Sequence, residues 1–114
     1  MTISRAGACV VAGALVAAPA LAITPISSPA ILTAIRTGEI IGAAEACGLP
    51  EGELIELGRK VIGRFRETAR DAAELQRAQT LHEQAVGRGA QRIATGRETC
   101  ARAVEAFRAL ERER

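Results

Sequence analysis

The stretch PAILTAIRTGEIIGAAEACG, residues 29–48, sets the architecture of this chain. It predicts a first helix over 29–46, because Ser28 supplies an N-cap oxygen and proline is favoured at the first helical position. Gly48 follows as a C-terminal stop. Cys47 therefore lies at the end of this helix, where a bond to a second cysteine would constrain the course of the remaining chain.

Small side chains form a ridge along one face of this first helix. Ala34, Gly38, Gly42 and Ala46 recur every four residues, so they stack on one side. The Gly-x-x-x-Gly spacing lets two helices approach closely. We expect the ridge to pack on another helix of the same domain, with Gly58 as its counterpart; a homodimer through the ridge is the alternative.

The N-terminal segment differs in composition from everything that follows. Arg5 is its only charged residue, and residues 6–18 are apolar apart from one thiol. Pro19 and the small-x-small sequence Ala-Leu-Ala then follow. A short basic start, an apolar stretch and such an exit are typical of a secretory signal peptide, which predicts cleavage after Ala22, with Ala20 as the alternative.

Cleavage at this place divides the chain into three parts. Residues 1–22 would be the signal peptide, 23–28 an extended lead-in, and 29–114 a helical domain. No stable membrane anchor would remain after cleavage. We expect the mature protein to be periplasmic or secreted.

Export changes the cysteine count from odd to even. Cleavage removes Cys9 and leaves Cys47 and Cys100 in an oxidising compartment, which predicts an intramolecular disulfide between them. Catalytic dithiols are usually close in sequence, as C-x-x-C, whereas these two cysteines are far apart. Closing a loop of this size stabilises the fold by about 4 kcal/mol.

This disulfide constrains the helical stretch that begins at Pro50-Glu51. Helix formers dominate the second half of the chain, and periodicity alone would allow one long helix. A straight helix from 50 to 100 would separate its ends by about 75 Å. Bonded cysteines need Cα atoms within about 7 Å. The chain must therefore reverse.

Two patterns of reversal compete. A single hairpin at the Gly-Arg-Gly sequence of 87–89 would leave the cysteines about 40 Å apart along the helix axis. Turns at 68–71 and 95–98, where the sequences resemble capping boxes, would instead give helices over about 70–94 and 97–112. The expected fold is all-α, a small bundle of three or four helices closed by one disulfide, with a solvated, frayed C-terminus.

Composition argues against several classes of function. The chain has 15 basic and 13 acidic residues, a formal charge of +2, two Phe and neither Tyr nor Trp, which argues against nucleic-acid binding. His82 is the only histidine, so we expect a solvated side chain there and no metal site. With no catalytic constellation and no cofactor motif in the sequence, we expect neither an enzyme nor a bound cofactor.

One basic cluster remains as a candidate contact site. Arg88 lies within the Gly-Arg-Gly sequence, and Arg92 and Arg97 follow it. The three could bind an anion or an acidic partner; the alternative is a set of solvated arginines. The leading hypothesis is a non-enzymatic interaction, accessory or holdase-like protein with an unidentified protein partner. The alternative is a small-ligand or metal carrier with a pocket between helices, using these arginines or His82 with carboxylates.

Overall fold

Four helices follow one another along residues 28–113, the part of the chain that the structure, a computed structural model, describes. They are α1 (Pro29–Ala46), α2 (Glu51–Thr68), α3 (Ala72–Ala94) and α4 (Cys100–Arg112). The prediction of an all-α bundle is confirmed, in its four-helix form. The expected signal peptide (1–22) and most of the expected lead-in lie outside the described residues. No helix within 28–113 is long and apolar enough to cross a membrane.

Helix α1 begins and ends as its sequence predicts. The Ser28 side chain accepts a hydrogen bond from the Ile31 backbone N–H, and a proline occupies the first helical position. Gly48 adopts φ +83°, a left-handed conformation that L side chains rarely adopt. The Leu49 N–H then donates to the carbonyl of Ala44 at 3.3 Å, closing the end of the helix.

Helix α3 is capped at Asp71, the last residue of the predicted capping-box sequence 68–71, and not at Thr68, its first. Thr68 is the last residue of α2, and Asp71 is the N-cap of α3. The Asp71 carboxylate accepts from the Glu74 N–H at 2.8 Å, while the Glu74 carboxylate reaches back to accept from the Arg70 N–H at 2.8 Å. This reciprocal pair reverses the chain without Gly or Pro.

The start of α4 also differs from the prediction. Thr95 does not cap α4; its hydroxyl donates back to the Gln91 carbonyl at 2.9 Å, at the end of α3. The cap is Thr99, whose side chain accepts from the Arg102 N–H at 3.3 Å. Gly96, at φ +78°, turns the chain between the two helices. Helix α4 consequently begins at Cys100 rather than near residue 97.

The contacts between helices fix their directions. Ala34 lies against His82 and Gly42 against Val86, so α1 and α3 run in the same direction. Helix α4 runs the opposite way: it starts beside the C-terminal end of α1 and ends where Glu113 pairs with Arg36 at 2.9 Å. The expectation of a solvated, frayed C-terminus is therefore wrong for Glu113.

The small ridge of α1 packs on α3, not on α2. A Cβ added at Gly42 would overlap the carbonyl oxygen of Val86, and one added at Gly38 would lie 2.7 Å from the Ala85 Cβ. Helix α3 contributes its own close approach, because a Cβ at Gly89 would overlap a carbonyl oxygen of α1. The predicted counterpart, Gly58, has open space around its position. The ridge is thus an intramolecular contact surface from Ala34 to Gly42, while Ala46 at its end is exposed.

The core fills the space around α1. Its largest fully buried side chains are aromatic or branched and come from three helices: Ile31, Val61, Phe65, Phe107 and Leu110. The side chains of α1 and α3 at their contact are small, so the aromatic rings of α2 and α4 fill much of the volume of the core.

The predicted disulfide is present and joins two helix ends. Cys47 and Cys100 are bonded, with Cα atoms 5.5 Å apart. Cys100 is exposed and Cys47 half-buried. The bond therefore fastens the C-terminal end of α1 to the start of α4 at the surface of the bundle.

Candidate functional site

The three candidate arginines lie around one surface groove. Arg88 and Arg92 are one turn apart on α3, and Arg97 follows in the connection to α4. With α1 they line a concavity, here called the arginine groove, whose residues are Glu39, Arg88, Gln91, Arg92, Thr95 and Arg97. Helix α3 runs unbroken through 87–89, which places Arg88 and Arg92 on the same side.

Two carboxylates already engage the groove. Glu39 of α1 places one oxygen 3.3 Å from Arg88 Nε and the other 3.6 Å from Arg92 Nη1. Arg92 Nε also lies 3.7 Å from a Glu98 carboxylate oxygen. Sequence reasoning missed both glutamates, because Glu39 reaches the arginines only through the parallel packing of α1 on α3.

Arg97 differs from the other two arginines. Its side chain is exposed, and no ion pair involves it within residues 28–113. The groove therefore combines two arginines that hold an internal carboxylate with one that does not. Guanidinium groups bind carboxylates through parallel N–H donors, so this is an arrangement suited to acidic side chains.

A second concavity continues from the arginine groove. It shares Glu39 and Arg92 with that groove and is further lined by Arg36, Ile40, Glu98, Ala103 and Ala106. These residues belong to α1, α3, α4 and the α3–α4 connection, so the floor is α1 and the walls are the other two helices. This second concavity, here called the α3–α4 cleft, is partly apolar.

His82 is not the solvated histidine that was expected. Its Nδ1 lies 3.3 Å from the Ala34 carbonyl oxygen and 3.4 Å from Thr37 Oγ1, inside the α1–α3 contact. Its ring also meets Phe65 edge to face, with centroids 5.5 Å apart. Burial lowers the pKa of His82, which favours the neutral ring. His82 therefore helps to join helices and is not part of the arginine groove.

A separate polar cluster, formed by Ser28, Arg70, Asp71 and Glu74, stabilises the start of α3. The pKa of Glu74 is lowered to about 2, first by the hydrogen bond from the Arg70 backbone N–H, then by the Ser28 hydroxyl and the Arg70 guanidinium. The Glu74 side chain is almost fully buried. Because the carboxylate is satisfied by the helix ends it joins, its role is structural.

Within the described residues, no group of three His, Cys, Asp or Glu side chains could hold a metal ion.

Comparisons with known proteins return no relative: no family model, no curated protein and no solved structure matches the chain. Proposals about function therefore depend on the residues themselves.

Proposed function

We propose that this chain is an exported, non-enzymatic protein that binds another protein through its arginine groove, as an accessory or holdase-like subunit. The convergence of Arg88, Arg92 and Arg97 on one concavity carries this proposal. Arg88 and Arg92 of α3 pair with the carboxylate of Glu39, whereas Arg97, in the connection that follows, has no ion pair within residues 28–113. The groove thus already displays the interaction that an acidic partner would make.

Two features of the chain support export, the composition of its N-terminal segment and its disulfide. The N-terminal 22 residues have the composition of a signal peptide, and the Cys47–Cys100 bond suits an oxidising compartment. The intact mass of the protein isolated from its native host should correspond to a chain starting at Ile23. Alkylation without reductant should modify neither Cys47 nor Cys100. A chain that begins at Met1, or that carries two free thiols, would contradict export.

Binding through the arginine groove is tested with an acidic probe. Fluorescently labelled hexaglutamate is titrated with the disulfide-bonded protein at low ionic strength, and anisotropy is recorded. The triple variant R88Q/R92Q/R97Q should lose about tenfold in affinity, because charge-assisted hydrogen bonds to the probe disappear.

A matched triple variant controls for net charge. R59Q/R66Q/R112Q removes the same number of charges from exposed positions, none of which has an ion pair within residues 28–113. It should bind hexaglutamate nearly as well as the unmodified protein. Equal losses in the two triple variants would show non-specific charge attraction and would overturn the proposal.

The alternative of a small-ligand or metal carrier stays a prediction. No specific feature of residues 28–113 favours it over the interaction protein.

A further inference from the structure

One face of α1 is left open by the way the helices pack. Helices α3 and α4 both lie against α1 but scarcely touch each other. Leu32, Arg36 and Glu39 follow one another along this face at intervals of four and three residues, so they share one side of α1. We call these three residues the open face of α1; it leads into the arginine groove at Glu39.

The open face has an apolar end. Leu32 keeps 52% of its surface exposed, and only one other large hydrophobic side chain within 28–113, Ile55 of α2, is as exposed, at 53%. Arg36 is also exposed and separates Leu32 from the arginine groove. The open face therefore passes from an exposed aliphatic side chain to a cluster of guanidinium groups.

The charged end of the open face is occupied by the chain's own carboxylate. Glu39 has its two oxygens on two different arginines, and no other side chain among residues 28–113 donates a hydrogen bond to this carboxylate. All three side chains are partly exposed, and ion pairs at exposed positions contribute little to stability. A carboxylate from outside can therefore replace Glu39 at small cost.

We infer that the open face of α1 binds an amphipathic helix of a partner protein. An acidic side chain of that helix takes the place of Glu39 between Arg88 and Arg92, and an aliphatic side chain covers Leu32. This inference rests on the proposed function and names the chemistry of the partner.

The spacing along α1 selects a helix as the partner segment. Seven residues separate Leu32 from Glu39, which is about 10 Å at 1.5 Å per residue. On a partner helix, residues seven positions apart lie on one face at the same distance. In an extended strand about 10 Å corresponds to three residues, whose side chains point to opposite faces. The partner helix should thus carry its acidic and aliphatic side chains seven positions apart.

Synthetic helical peptides test this geometry. The probes are labelled 15-residue alanine- and glutamine-based peptides with glutamate at position 4 and leucine at position 11, or the reverse order. The control peptide has the same composition with leucine at position 9, off the shared face. We call the two peptides with glutamate and leucine seven positions apart the matched peptides. The one whose order suits the direction of binding should bind about fivefold more tightly than the control peptide, because it places leucine on Leu32 and the carboxylate between the arginines at the same time.

Two surface variants and one control variant locate the binding site. Leu32→Ser should weaken the matched peptide about fivefold, whereas Ile55→Ser, at an equally exposed position, should not. Glu39→Gln should strengthen binding about threefold, since it removes the competing carboxylate but keeps the length of the side chain. Circular dichroism of all three variants checks that the bundle stays folded.

The outcomes separate the inference from the proposed function. If hexaglutamate binding depends on the arginines but neither Leu32→Ser nor Glu39→Gln changes peptide affinity, the partner helix is wrong and the proposed function stands. If neither hexaglutamate nor any peptide binds, both the proposed function and the partner helix are wrong. Concentration-dependent dimers in sedimentation that Leu32→Ser abolishes and Ile55→Ser does not would assign the open face to a second copy and overturn the inference.

Discussion

Two glycines of α3 show how strongly the surroundings of a single residue decide its role. Gly87 has open space where a Cβ would stand, whereas a Cβ at Gly89 would overlap the Glu39 carbonyl oxygen and lie 2.9 Å from the Ala43 nitrogen. Both belong to the Gly-Arg-Gly sequence, which by itself indicates a break in the helix. The glycine at 89 instead permits the close contact between α1 and α3.

Alanine at these two positions should have opposite effects on stability. Gly89→Ala should lower the free energy of unfolding by about 2 kcal/mol, because the backbone of α1 must move away. Gly87→Ala should raise it by roughly 0.5–1 kcal/mol, since alanine loses less backbone entropy in a helix. Urea unfolding of both variants measures this, and a loss of equal size at both positions would contradict the close α1–α3 contact.

The buried carboxylate of Glu74 predicts a pH dependence. Its pKa is about 2 in the folded protein against 4.5 as the ordinary value, so it stabilises the fold above about pH 4.5. That contribution disappears as the pH falls towards 2. The unmodified protein should therefore be more stable than Glu74→Gln at pH 7, and the difference should shrink between about pH 4.5 and 2.

Denaturant unfolding at a series of pH values measures this convergence. Glu105→Gln is the control, because Glu105 is exposed and has no ion pair within residues 28–113. Parallel pH profiles for the unmodified protein and Glu74→Gln would show that the hydrogen bonds from Arg70 and Ser28 do not hold this carboxylate ionised.

At the scale of the helices, capping distinguishes two threonines that the sequence alone does not. Thr99 accepts from the Arg102 N–H, while the Thr95 hydroxyl donates back to a carbonyl of α3. Thr99→Ala should cost about 1 kcal/mol of unfolding free energy. Thr95→Ala should change it by less than about 0.5 kcal/mol. A greater loss at Thr95, measured by thermal or urea unfolding, would restore the originally predicted cap.

Local chemistry predicted where α1 begins and ends but not where α3 and α4 begin. At α1 one serine, one proline and one glycine agree on the boundaries. Near Asp71 and Thr99 two candidate caps compete at each turn, Thr68 with Asp71 and Thr95 with Thr99, and the choice between them depends on which residues the bundle brings together. Asp71 is the cap because Glu74 then accepts from the Arg70 N–H within the turn and from the Ser28 hydroxyl at the start of α1.

At the scale of the whole molecule, the cross-link should dominate stability. The variant C47S/C100S should unfold with a free energy lower by about 4 kcal/mol, because the unfolded chain regains the freedom of a long loop. Both cysteines are at least partly exposed, so serine leaves no buried polar group. Guanidinium unfolding of the unmodified protein with reductant should give the same value as this variant. Equal stability with and without the bond would contradict this account.

The same two cysteines explain why the topology was predictable from sequence and the candidate site only in part. A distance limit between Cys47 and Cys100 excludes one long helix and a single hairpin, whatever the side chains between them do. The arginines were visible as a cluster. Their carboxylate, Glu39, was not, because the register of α1 on α3 depends on two glycines that each meet the backbone of the other helix, Gly42 at Val86 and Gly89 at Glu39.

The position of the disulfide between two helix ends makes its sulfurs chemically unequal. Cys47 follows the C-terminal end of α1, where the helix dipole disfavours negative charge, and Cys100 is the first residue of α4, where it favours it. In thiol exchange the more acidic thiol is the better leaving group. An attacking thiolate should therefore bond to Cys47 and release Cys100, and limited treatment with a thiol followed by alkylation and peptide mapping should find the alkyl group on Cys100.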